Sequence, residues 1–248
     1  MAASNPPPVS RRGSLASLAA SPELFIGPDF TEPEVSAIER EVVPRYLAHF
    51  IEVGLPRLIV SPEAAVGIVG PLAAWGSRGV LERLPGARLA LFDCSQAALA
   101  KSGELIAAPH QSELVGAQGL PAPSAGFSHL IVTHPLVDVA SRARLIAECR
   151  RVLVPAGQLI FALPLRGSYP EVLDMLREFA LKQESPQVAE AVELAAASRP
   201  NPETLTEELE AAGFVDVTVD VELLDVPFSN GREFVADPLF SVWLRRDL

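Results

Sequence analysis

The chain has 248 residues, 49% of them hydrophobic, and a mean hydropathy of +0.26, enough to bury one sizeable core. Its 20 basic and 31 acidic side chains give a formal charge of −11, which argues against a nucleic-acid or anionic-membrane surface, since either needs a basic face. Cys94 and Cys149 make neither a disulfide framework nor a metal-ligand spacing, and no apolar run approaches the ~20 residues that span a bilayer or a signal's apolar stretch, so a reducing cytoplasm is expected.

Residues 1–30 are rich in Pro, Ser, Ala and Gly and are expected to form a flexible tail. Within it Arg11, Arg12 and Ser14 have the shape of a site for a basic-directed kinase, a short motif that also arises by chance. The folded domain is expected over 31–248, opening with a helical cap over 30–55. There Val35, Ile38, Val42, Val43, Tyr46, Leu47, Phe50 and Ile51 fall at helical spacing, Thr31 and Glu34 fit a capping box, and Pro44 should kink or split the helix. Strands follow at Ala65–Val69, Arg88–Phe92, Leu130–Thr133 and Leu159–Leu163, with a weaker one at Glu113–Val115. Helices alternate with them near Ala73–Leu84, Ser95–Ala107 and Ser141–Val152, which predicts a parallel sheet covered on both faces. Helices at Pro170–Lys182, within 183–202, and at Glu203–Ala212 come next, the last capped by Gly213. Strict alternation predicts a strand over Phe214–Val221, and the apolar segment Leu239–Leu244 closes the chain.

Four phrases in this order are similar to class I S-adenosylmethionine-dependent methyltransferases of the type 11 sort: LPGARLALFDCSQAAL (84–99), QGLPAPSAGFSHLIVTHP (118–135), RRVLVPAGQLIFALP (150–164) and ETLTEELEAAGFVDVTV (203–219). The resemblance spans roughly residues 30–240. It implies a doubly wound, Rossmann-like α/β fold with a mostly parallel seven-stranded sheet, helices on both faces, and ligands above the carboxyl ends of the strands.

Carried across residue by residue, the resemblance implies a damaged cofactor motif. Ile68 stands where the family has the acid ending strand one. Gly70 falls on the first motif glycine, Leu72 on the second and Ala74 on the third. Glycines there admit positive φ and let bare backbone meet the ligand, whereas leucine and alanine fill that space and Pro71 removes a donor. Trp75 is large enough to lie across the vacated floor. Asp93 matches the acid that accepts from the ribose hydroxyls, although an exposed carboxylate beside the N-cap Ser95 reads equally well. The acid that reaches the adenine is absent from Gly116–Ala117–Gln118, and Ser128 replaces another family aspartate.

His134, at the end of strand four with Asp138 nearby, is a weak candidate for a general base toward a hydroxyl acceptor. His49, His110 and His129 have no metal-ligand spacing, and Cys94 beside Asp93 reads as a small buried filler. A dinucleotide fingerprint and a phosphate loop both fail, because no third glycine and no lysine follow Gly70; a GxSxG elbow is absent. The sequence therefore reads as a pseudo-methyltransferase, a binding or regulatory module that binds S-adenosylmethionine weakly or not at all. The alternative is an active S-adenosylmethionine-dependent enzyme with an atypical loop, using Gly70 and Asp93 for its cofactor. Its partner is expected to be a protein or a small molecule, with no nucleic acid and no membrane.

Overall fold

The computed structural model describes residues 24–247; Ser14 and its basic neighbours lie outside them. Five strands form one parallel sheet in the order β3–β2–β1–β4–β5: β1 (Ala65–Val69), β2 (Arg88–Asp93), β3 (His110–Leu114), β4 (Phe127–Thr133) and β5 (Leu153–Ala162). The near-continuous apolar runs of β1, β2 and β4 are buried on both faces, as a centrally placed parallel strand requires. Helices α3 (Ser77–Arg83), α4 (Gln96–Leu105) and α5 (Val139–Val152) connect them. The reversal of strand order between β1 and β4 opens a crevice above their carboxyl ends.

That crevice is roofed from both ends of the domain. Helix α1 (Glu32–Ala37) starts at the predicted capping box, where the Glu34 carboxylate accepts from the Thr31 N–H and hydroxyl, both at 2.9 Å. It runs into a π-helical stretch, Ile38–Leu47, and then α2 (Ala48–Glu52). Pro44 lies inside the π-helical stretch, so its missing N–H is absorbed by local widening rather than by a break. At the far end α9 (Gly231–Ala236) leads into a second π-helical segment, Leu239–Leu244, and α10 (Arg245–Asp247). Arg45–Asp237 at 2.6 Å and Arg246–Glu34 at 2.6 Å tie the two ends together. Between them Phe30 stacks on fully buried Trp243, with ring centroids 5.7 Å apart.

Helices α6 (Pro170–Lys182) and α7 (Pro186–Ser198) form a hairpin, and α8 (Pro202–Ala211) stops where Gly213 adopts φ +89°. Two expectations need correction. The sheet has five strands among the described residues, not seven, and Phe214–Val221 forms none of them but packs its inward side chains with Leu159 and Phe161 of β5. Asp216 at φ +55° breaks the alternation: Phe214, Val217 and Val219 turn inward against Leu205 and Leu209, while Val215 stays 82% exposed. The closing apolar segment is helical, and just before it Asp237 accepts the Leu239 N–H at 2.8 Å. The second correction concerns the amino terminus. Leu24, Ile26 and Phe30, placed in the expected tail, are buried.

Candidate functional site

The crevice is built first by the turn after β1. Gly70 has φ +139°, and a Cβ there would collide with the Thr133 carbonyl, so glycine is required for β1 and β4 to approach. Its N–H donates to the Phe92 carbonyl at 3.0 Å. Leu72 then takes the left-handed region at φ +64°, which costs a leucine about 1–2 kcal/mol. In return its side chain is buried under the roof with Phe30, Tyr46 and Trp243. Trp75 is half-buried and packs against both the roof and the core under α3.

Asp93 ends β2 beneath this turn and is 1% exposed, not the exposed carboxylate considered from sequence. Its Oδ2 accepts the Ala73 N–H at 3.1 Å and its Oδ1 accepts the Ser95 N–H at 2.9 Å. The acid that the resemblance assigns to ribose hydroxyls is thus bonded to the motif loop itself. Burial raises its pKa to about 6, against the opposing pull of those backbone donors. Ser95 caps α4 as expected, accepting the Ala98 N–H at 3.2 Å.

Across this turn runs the segment Leu24–Phe30, which sequence reasoning missed. The Leu24 N–H donates to the Ala117 carbonyl at 2.9 Å, and the Ile26 carbonyl accepts the Leu136 N–H at 2.9 Å. Gly27, at φ +153°, is squeezed so closely that a Cβ would lie 2.9 Å from both Cys94 Sγ and Pro71 Cγ. Asp29 accepts the Gln96 N–H at 3.0 Å, and the Phe30 carbonyl accepts the Ser95 hydroxyl at 3.0 Å. The segment therefore touches the ends of β1 and β4, the end of β2, and the loop after β3. Its one legible signal was LFIGPDF itself, apolar residues two apart followed by a glycine.

His134, immediately after β4 at φ +40°, is 1% exposed. Tyr46, Phe50 and Trp243 surround its ring at centroid distances of 5.3, 4.6 and 5.2 Å. Its Nε2 meets the Tyr46 hydroxyl at 2.6 Å, the Tyr169 hydroxyl at 3.3 Å and the Trp243 indole N–H at 3.5 Å; the two tyrosine hydroxyls also bond each other. An indole can only donate, so the Trp243 contact is met by the tautomer in which Nε2 accepts. Among the described residues Nδ1 has no hydrogen-bond partner, a condition that costs about 1–3 kcal/mol for a buried polar atom. Burial lowers the His134 pKa to about 4, which keeps the ring neutral. Arg199 stacks on Tyr169 at 4.9 Å and donates to the Asp247 carboxylate at 3.1 Å, closing the group from outside.

The other sequence candidates do not join this group. Asp138 is exposed and caps α5. Ser128 bridges to the Ala65 backbone, His129 bonds Ser128 and the Ile59 carbonyl, and His110 bonds Ser102. Cys94 is buried, with its thiol pKa pushed up by burial and by Asp93. Among the described residues no cluster of His, Cys, Asp or Glu could hold a metal, and no helix is long and apolar enough to cross a membrane.

A Rossmann-like sheet, a turn after β1, an acid ending β2 and a crevice at the strand reversal define the class I methyltransferase fold. Residues 69–161 match the family model described as "Methyltransferase domain". No curated protein matches the chain in sequence. In fold it is similar to a chain from the complex of the Haloferax volcanii Trm112 methyltransferase activator (TM-score 0.60, 16% identity, 86% of this chain and 88% of that one). It is also similar to an S-adenosylmethionine-dependent methyltransferase from Mesorhizobium loti (0.51, 16%, 79% and 92%). A third is Haemonchus contortus phosphoethanolamine N-methyltransferase 2, solved with S-adenosylhomocysteine (0.53, 14%, 75% and 43%). The residues in the crevice do not fit S-adenosylmethionine as arranged: Leu72 stands at the glycine position and Leu24–Phe30 crosses the turn above Asp93.

Proposed function

We propose that this chain is a pseudo-methyltransferase, a methyltransferase-fold binding module whose cofactor crevice is occupied by its own amino-terminal segment. It acts by contacting a protein partner or a small molecule, with weak or no binding of S-adenosylmethionine. The observation that carries this reading is the double engagement of Asp93 beneath a segment hydrogen-bonded on either side of it. A protein partner is further supported by the activator complex from which one chain of similar fold comes. In this reading His134 is a buried neutral imidazole that organises the roof, and no proton-transfer role is assigned to it.

The sequence match over 69–161 favours a second reading, an enzyme on a small-molecule acceptor in which cofactor displaces the segment. Thermal unfolding with and without S-adenosylmethionine or its demethylated product separates the two. A ligand at about a hundred times its Kd adds about 2.7 kcal/mol and raises the melting temperature visibly. The expected outcome is no shift at millimolar ligand. A saturable shift sinks the pseudoenzyme reading.

A further inference from the structure

Strand β5 is the last in its sheet and pairs with β4 alone. From Gly157 to Phe161 its backbone bonds to nothing outside that ladder among the described residues. Every residue there is partly exposed, whereas the matching residues of β4, His129–Val132, are buried. The neighbouring stretch does not close this edge: Phe214, Val217 and Val219 pack toward Leu159 and Phe161, but Val215–Phe228 makes no backbone–backbone hydrogen bond among the described residues. An open strand edge is a template for another chain. The Gln158 side chain accepts the Ile59 N–H at 3.0 Å and donates to the Arg57 carbonyl at 2.8 Å, and Arg57 donates to Asp220 at 2.9 Å. These contacts bring Ile59, Val60, Val221 and Leu223, each more than half exposed, to the same end of β5. Between Arg199 and Arg232 the chain carries eight Asp and Glu side chains and no Lys or Arg. Arg142 pairs with Glu208, and Arg57 serves both Asp220 and Glu222; the other five have no ion-pair partner among the described residues.

We propose that the open edge of β5 binds a partner protein through an added strand whose side chains alternate between apolar and basic. The partner's backbone takes the edge's N–H and C=O groups, which supplies affinity without regard to sequence. Its apolar side chains extend the patch of Ile59, Val60, Val221 and Leu223, and its Lys or Arg side chains meet the acids, which select it over other extended chains. A second copy of this chain would set the same acids against themselves, and like charges across a strand pair are destabilising. The proposal names a protein partner for the binding module and rests on that reading for its purpose, while neither the motif turn nor Leu24–Phe30 takes part.

The test uses the full chain and a synthetic peptide of alternating lysine and valine, blocked at both ends. Backbone NMR should show saturable shifts and slowed hydrogen exchange at the Gly157–Phe161 amides. The same peptide N-methylated at every residue keeps the charge but has no backbone donor, and should bind at least about tenfold more weakly. A peptide of alternating glutamate and valine should not bind. Asp216→Asn with Glu222→Gln, both at exposed positions, should weaken the lysine peptide about fivefold with the fold unchanged. No saturable shift at millimolar peptide overturns the site, and so does protection at the β3 edge in place of β5. Equal binding of the N-methylated peptide reduces the contact to charge alone and overturns strand addition. A dimer in sedimentation equilibrium that protects the β5 amides without peptide makes a second copy the occupant and overturns the basic partner. Titration of the same sample with S-adenosylmethionine reports separately on the crevice, so failure of the pseudoenzyme reading is distinguished from failure of this site.

Discussion

Two buried titratable side chains, Asp93 and His134, oppose each other in the pH dependence of folding. Asp93 has its pKa raised to about 6, so the native state holds its proton more tightly than the unfolded chain. Its contribution is full in acid and is lost as pH rises through 6. His134 has its pKa lowered to about 4, so the unfolded chain binds that proton more tightly. Its contribution is full above its ordinary pKa of 6.5 and is lost as pH falls through 4. Each shift corresponds to about 3 kcal/mol, and over pH 4–6.5 they offset. Urea unfolding resolves them: wild type should lose about 3 kcal/mol relative to Asp93→Asn between pH 4 and pH 7, and gain a similar amount relative to His134→Phe. A pH-independent difference for either variant contradicts the burial described here. Both residues were visible in the sequence, but their environments were not. Asp93 could be read as a ribose acceptor or an exposed carboxylate; it is buried, and the donors that reach it, Ala73 and Ser95, are backbone groups that carry no sequence signature.

At the scale of elements, the segment Leu24–Phe30 is fixed by shape as much as by hydrogen bonds. Gly27 fits where no side chain can, so Gly27→Val should destabilise the protein by about 1–3 kcal/mol, measured in urea, and expose the segment to limited proteolysis. An unchanged midpoint with an unchanged cleavage pattern removes the segment from the crevice. Elsewhere, α5 and α8 are joined by Arg142, which is 2% exposed and donates twice to Glu208 at 2.7 Å and once to the Ser198 carbonyl at 2.7 Å. Glu208→Ala leaves a buried guanidinium uncompensated and should cost about 3–5 kcal/mol. The double variant Arg142→Met, Glu208→Leu should be markedly more stable than that single one; the reverse order contradicts the desolvation argument. The strands and most helices were legible because β1, β2 and β4 are apolar runs bounded by Gly and Pro, and α6 matches its predicted Pro170–Lys182 residue for residue. Phe214–Val221 was misread because alternation reports a strand buried on one face, and one positive φ at Asp216 rotates the pattern without changing composition. The roof was illegible for a different reason. Trp243, Tyr46 and Tyr169 are far apart in the chain, and only the tertiary fold brings them to His134.

For the whole molecule, packing at the strand ends shapes the methyltransferase fold. Gly70 is retained because β1 and β4 must meet there. Leu72 and Trp243 meet in the roof over the strand ends, where the fold class holds its ligands. The most direct measurement follows the amides of Leu24 and Leu136, which are bonded to Ala117 and Ile26 across the crevice. Their hydrogen exchange should be slow and should not change with millimolar S-adenosylmethionine or S-adenosylhomocysteine. Saturable acceleration of both amides by either ligand, with matching protection of the Ala73 amide, would mean that cofactor displaces the segment and that the crevice is an active site after all.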